Sequence, residues 1–151
     1  MPTVRRLTLL VTLSVALACG SGTVVDPDAG YRFGSELCVA KDGENCAAPA
    51  TTFPTDTPVL HLVHRTKDLP QLNQVYNVDW IAVDTAGAIP AGTVLVNVKL
   101  PVDDAGSLAA STNWTVESEV NPPGGTWPPG SYTVTVTLDG APVTDVPFTI
   151  R

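Results

Sequence analysis

Apolar residues recur along this chain with a period of two from residue 35 onward, and no later stretch shows the 3.6 period of a helix. The clearest case is Tyr132 to Leu138, where Tyr132, Val134, Val136 and Leu138 alternate with threonines. That is the signature of a half-buried strand. Asp139-Gly140 follows, and Ala141 to Ile150 then runs almost to the C-terminus. Asp-Gly between alternating runs predicts a hairpin, because both central residues of a type I′ turn need positive φ. In that last strand Val143 is out of phase with Val146, Phe148 and Ile150, which a bulge would absorb, and Pro147 calls for an edge position.

Upstream, Gln74 to Thr85 places Tyr76, Val78, Trp80 and Ala82 on one face, and Thr93 to Leu100 sets Val94, Val96 and Val98 against Leu95, Asn97 and Lys99. Ser111 to Val120 puts Trp114, Val116 and Val120 on one face, Val59 to Arg65 reads as another strand, and a short one surrounds Leu37-Cys38-Val39. Clusters such as Asp84 to Gly87, Pro101 to Gly106 and Asn121 to Gly125 supply turns between them. About seven short antiparallel strands at near-regular spacing predict an all-β fold, a β-sandwich over residues 35–151.

The N-terminus follows a different pattern. Arg5-Arg6 precede an uncharged apolar run from Leu7 to Ala18, and Cys19 follows. A charged region, an apolar region and a small-residue cut make an export signal over residues 1–18. The apolar run is too short for a membrane span, which takes about twenty residues. With cysteine at the cut, the segment resembles a bacterial lipoprotein signal. That resemblance implies Cys19 as the lipidated N-terminus, attachment to the membrane through the lipid and, with Gly20 rather than Asp next, an outer-membrane destination. Ala16 stands where such signals prefer leucine, and Ala16-Leu17-Ala18 also fits the cut of a soluble secreted protein. Residues 19–34, mostly small and polar at first, read as a flexible tether.

There are three cysteines in the chain. With Cys19 carrying lipid, Cys38 and Cys46 remain as a pair, and an oxidising compartment favours their disulfide. The loop between them carries the turn signal Asp42-Gly43, and the chain-entropy contribution of such a bridge is about 2.5 kcal/mol.

Removing residues 1–18 takes away Arg5 and Arg6 but no acid, so the formal charge moves from −7 to −9. That balance argues against nucleic acid as a partner. Trp127-Pro128-Pro129-Gly130-Ser131-Tyr132, the valine alternation and Leu138-Asp139-Gly140 resemble the final hairpin of immunoglobulin-like or fibronectin type III-like domains. The resemblance implies Trp80 as the buried core tryptophan and Tyr132 as a corner tyrosine whose hydroxyl bonds to nearby backbone. It does not extend to an inter-sheet disulfide, because both remaining cysteines lie at the start of the domain.

Candidate chemistry is sparse. His61 and His64 are three apart in a strand and so fall on opposite faces, which disfavours a shared metal. Asp26 and Asp28 lack the further oxygen ligands of a calcium loop. Asp103, Asp104 and Asp139 sit at turns, where Asp bonds local backbone, with convergence on calcium as the alternative. No Gly-x-Ser-x-Gly elbow is present, so no catalytic residue is assigned and no enzyme, cofactor or metal is expected. Trp127, in a Pro/Gly-rich loop, is the candidate ligand contact, against the reading that it plugs one end of the core. Asn113-Trp114-Thr115 matches a glycosylation acceptor, incidentally if the signal is bacterial. The expectation is a non-catalytic, lipid-anchored envelope module that holds an unidentified protein partner. The alternative is a carbohydrate- or small-ligand-binding module, calcium-assisted or not.

Overall fold

A computed structural model describes residues 30–151. The signal segment, Cys19 and all but the end of the tether lie outside the described residues. In chain order the elements are β1 (Gly34–Cys38), β2 (Lys41–Asp42), β3 (Asn45–Cys46), β4 (Thr52–Phe53), β5 (Leu60–Thr66), β6 (Val75–Asp84), β7 (Val94–Pro101), α1 (Ala105–Ala110), β8 (Trp114–Val120), a 3₁₀ turn (Pro123–Gly125), β9 (Gly130–Leu138) and β10 (Ala141–Ile150). Seven of the strands have five residues or more, at the predicted places. The fold is all-β.

Two larger sheets enclose one core. A three-stranded sheet has the order β1-β5-β8 and a five-stranded sheet the order β4-β10-β9-β6-β7, while β2 and β3 form a separate two-stranded ribbon. Alternation explains the layering. Tyr76, Val78, Trp80 and Ala82 of β6 and Tyr132, Val134 and Val136 of β9 meet Leu60 and Leu62 of β5 and Val116 and Val120 of β8 in a single buried cluster. Trp80 Nε1 donates to Ser118 Oγ of the opposite sheet at 2.9 Å, so the indole N–H is paired within the core. Phe148 is the aromatic hub: Phe53, Trp80 and Trp127 meet it edge-on, and Tyr132 stacks on it at 5.2 Å. Such pairs add about 0.5–1.5 kcal/mol beyond burial.

The turn chemistry holds in detail. Asp139 and Gly140 both have positive φ, 50° and 82°, in the β9–β10 hairpin. The pairing of β10 with β9 shifts register between Pro142 and Thr144, which absorbs Val143. Strand β4 runs parallel to β10 and pairs only with Thr149 and Ile150, so Pro147 lies on an uncovered stretch of that edge. Gly130 is required by close approach: at φ 154°, a Cβ there would lie 2.2 Å from the Asp84 carbonyl oxygen.

Three expectations need correction. Helix α1 occupies part of the segment read as turn. Its six residues are too few to display a 3.6 period, and Asp104 caps it by accepting from the Gly106 and Ser107 amides. As a result β8 begins at Trp114 rather than Ser111. A register shift opposite Trp80 and Ile81 turns Val94 away from the face of Val96 and Val98, leaving it exposed.

Candidate functional site

Cys38 and Cys46 are joined in a disulfide, and both are buried. Within its loop, β2 and β3 pair as a hairpin with Gly43 at φ 59° in the first turn position. The bridge packs with Val63 in a small second core on the outer face of β5, because Val63 points away from the main core. The hairpin therefore acts as a cover over the outside of the three-stranded sheet.

Under that cover lies Arg65, whose side chain is fully buried. Nε donates to Thr115 Oγ1 at 2.9 Å and one terminal nitrogen to Asn45 Oδ1 at 3.1 Å. The other donates to the Glu44 carbonyl and forms an ion pair with Glu44 Oε2 at 3.0 Å. The guanidinium also lies 4.2 Å from the centroid of the Tyr31 ring. Lys67 repeats this contact over Phe33. The end of the segment read as tether is thus attached to the domain by cations from the end of β5 and just beyond it.

Tyr31, Glu44 and Thr115 are also walls of an open cleft of about 380 Å³, completed by Trp114 and the residues from Ala110 to Asn113. A second cleft of about 510 Å³ shares Glu44, Trp114 and Thr115 and continues along β8 to Lys41, Glu117, Tyr76 and Leu100. Strand β8 is a sheet edge, paired only with β5. Trp114 packs partly against the core and is partly open. Arg65 carries no signal in the sequence, because its strand position looks like any outward one. Only the disulfide hairpin folding over β5 turns that position into an interior.

The other candidates fall elsewhere. Trp127 is corrected as a ligand contact: it is 1% exposed, donates from Nε1 to the Thr57 carbonyl at 3.0 Å, and meets Tyr132 edge-on. Its ring plugs the core. Tyr132 Oη donates to the Pro128 carbonyl at 2.6 Å, the local backbone bond expected of it. His61 points outward to Glu119 at 3.5 Å, while His64 points inward, its Nδ1 2.8 Å from Ser35 Oγ. Burial lowers the His64 pKa, and its Nε2 is buried without a hydrogen-bond partner. A serine beside a histidine has the composition of a nucleophile–base pair, but here both hydroxyl and ring are part of a link that continues from Ser35 to Thr144 Oγ1 across to β10.

Two of the turn acids, Asp104 and Asp139, serve the backbone. Asp139 Oδ1 accepts from the Val75 amide. Asp104 is held below the usual carboxylate range, first by the Ser107 hydroxyl and then by the Ser107 and Gly106 amides. Among the described residues no group of three or more His, Cys, Asp or Glu side chains is placed to hold a metal ion, and no helix is long and apolar enough to cross a membrane.

No family model matches the sequence, and no curated protein matches it. Among solved structures, the chain is similar to the alkylpurine DNA glycosylase AlkC of Pseudomonas fluorescens bound to DNA containing an abasic site analog, at 13% identity and a TM-score of 0.42, over 82% of this chain and 32% of that one. It thus spans about a third of the glycosylase. It is also similar to the PmoD soluble domain of Methylocystis sp. ATCC 49242 (Rockwell), at 12% identity and a TM-score of 0.45, over 78% of this chain and 89% of that one.

Proposed function

We propose that this protein is a non-catalytic module of the bacterial cell envelope, an immunoglobulin-like sandwich anchored by lipid on Cys19 and serving to hold a partner. The observation that carries this reading is the buried Cys38–Cys46 disulfide. Such bonds persist in compartments reached by export, and the pairing leaves Cys19 as the odd cysteine, at the end of the signal-like segment. The finer fold reading is supported by strand order: the early strands divide between the two sheets, β1 in one and β4 in the other. It is also supported by Trp80 buried mid-strand and by the Tyr132 to Pro128 bond.

The test is Cys19→Ser in the native host, followed by membrane fractionation and mass spectrometry of the N-terminus. The anchored protein sediments with membranes and carries acyl mass, and the variant is released. Wild-type protein found in the soluble fraction, unacylated and cut after Ala18, makes it a soluble secreted protein and removes the anchor from the proposal.

A further inference from the structure

The geometry points to the cleft between Tyr31 and Trp114 as a binding site for a neutral saccharide. This inference stands whether or not Cys19 carries lipid, since it uses only the folded domain.

A guanidinium removed from water is expensive unless its donors are satisfied, and three of the Arg65 partners, Tyr31, Glu44 and Thr115, line one cleft. Arg65 is a positioning residue: it fixes an aromatic ring, a carboxylate and a hydroxyl in place before any ligand arrives, which lowers the ordering cost of binding. The wall it builds faces the chain from Ala110 to Trp114, with a second aromatic ring at its end.

The chemistry of the lining selects the ligand class. Glu44 is neutralised by Arg65, and along the adjoining cleft Lys41 is neutralised by Glu117. A charged ligand finds no uncompensated countercharge here. What the cleft presents instead is two partly open aromatic rings, Tyr31 being 37% exposed, among carboxylate, hydroxyl and amide groups. A sugar ring has a matching construction, with an apolar C–H face to lie on an aromatic ring and hydroxyl edges to meet acceptors. The lining is too polar for an aliphatic ligand, and the apolar surface lies further along β8, where an extended peptide would dock instead.

The experiment is calorimetric titration of the full chain, disulfide intact, with chitotriose, cellotriose and maltotriose. Tryptophan emission gives a parallel readout in the wild type: Trp80 and Trp127 are buried, so a ligand-induced change reports Trp114. Saturable binding of at least one trisaccharide is expected, weakened at least tenfold by Trp114→Ala and by Tyr31→Ala. Trp114→Tyr, which keeps a ring, should stay within threefold of wild type. Circular dichroism checks that each variant is folded, and Tyr31→Ala touches an exposed residue in case Trp114→Ala does not fold. Binding that is undiminished in both alanine variants overturns the site. Failure of all three sugars overturns the ligand class, and capture of an extended peptide along β8 in their place assigns the cleft to polypeptide.

Discussion

Arg65 and Glu44 form an ion pair with very unequal burial, 0% exposure for one side chain and 62% for the other. The inequality predicts which partner is costlier to lose. Glu44→Ala strips the buried guanidinium of its carboxylate while leaving it interior. Charge-assisted hydrogen bonds are worth about 1.5–3 kcal/mol, and because Glu44 is largely exposed the loss should fall near the lower end, about 2 kcal/mol. Arg65→Met removes the charge itself, fills similar volume and leaves Glu44 in water at little cost. Replacing buried ion pairs by apolar side chains is often neutral or stabilising; Thr115 and Asn45 also lose their donor, but both are only half-buried and can turn to water, so this variant should lie within about 1 kcal/mol of wild type. The double variant should match Arg65→Met alone, since Glu44 has nothing left to neutralise. Urea unfolding followed by circular dichroism, with the disulfide intact and m-values compared, resolves differences of this size. On heating, 1 kcal/mol corresponds to about 4 °C in a domain of this size. The reasoning is refuted if Arg65→Met proves costlier than Glu44→Ala, or if the two losses simply add.

Two further outcomes follow from the interior. Burial lowers the pKa of His64 from 6.5, so as pH falls below that value the unfolded chain takes up this proton before the folded state does. Stability is therefore full above about pH 6.5 and declines with acidification, by at most about 1.4 kcal/mol per pH unit between the two pKa values; His64→Gln should flatten that slope in thermal melts between pH 5 and 7. Tyr132→Phe removes the bond to the Pro128 carbonyl while keeping the stack on Phe148. A loss of about 1 kcal/mol in chemical unfolding is expected, and an unchanged midpoint would show that water replaces the hydroxyl.

Alternation and turn residues were enough to place the seven longer strands, the Asp139-Gly140 hairpin and the bulge at Val143. Each of those depends on neighbours within a few positions, where the period of two and the need for positive φ leave a direct trace. Strand β4 was not legible, since two residues show no period, and its parallel pairing with β10 joins segments far apart in sequence. Helix α1 escaped for the same reason of length. Trp127 carried an ambiguous signal: a tryptophan in a Pro/Gly-rich loop reads the same whether it opens to solvent or folds inward, and the bond to Thr57 and the contact with Phe148 decided it.

The sequence by itself determined the all-β class and the cysteine pair, because periodicity and residue count are local properties. Only the tertiary structure decided which side of β5 is interior. An outward position in a strand meets solvent unless another segment covers it, and here the covering segment is the disulfide hairpin. That cover buries Arg65, and the buried cation in turn holds Tyr31, Glu44 and Thr115 along one cleft. Residues 31, 44, 65 and 115 share no sequence pattern; they meet because the hairpin folds over β5 and β8 pairs beside it.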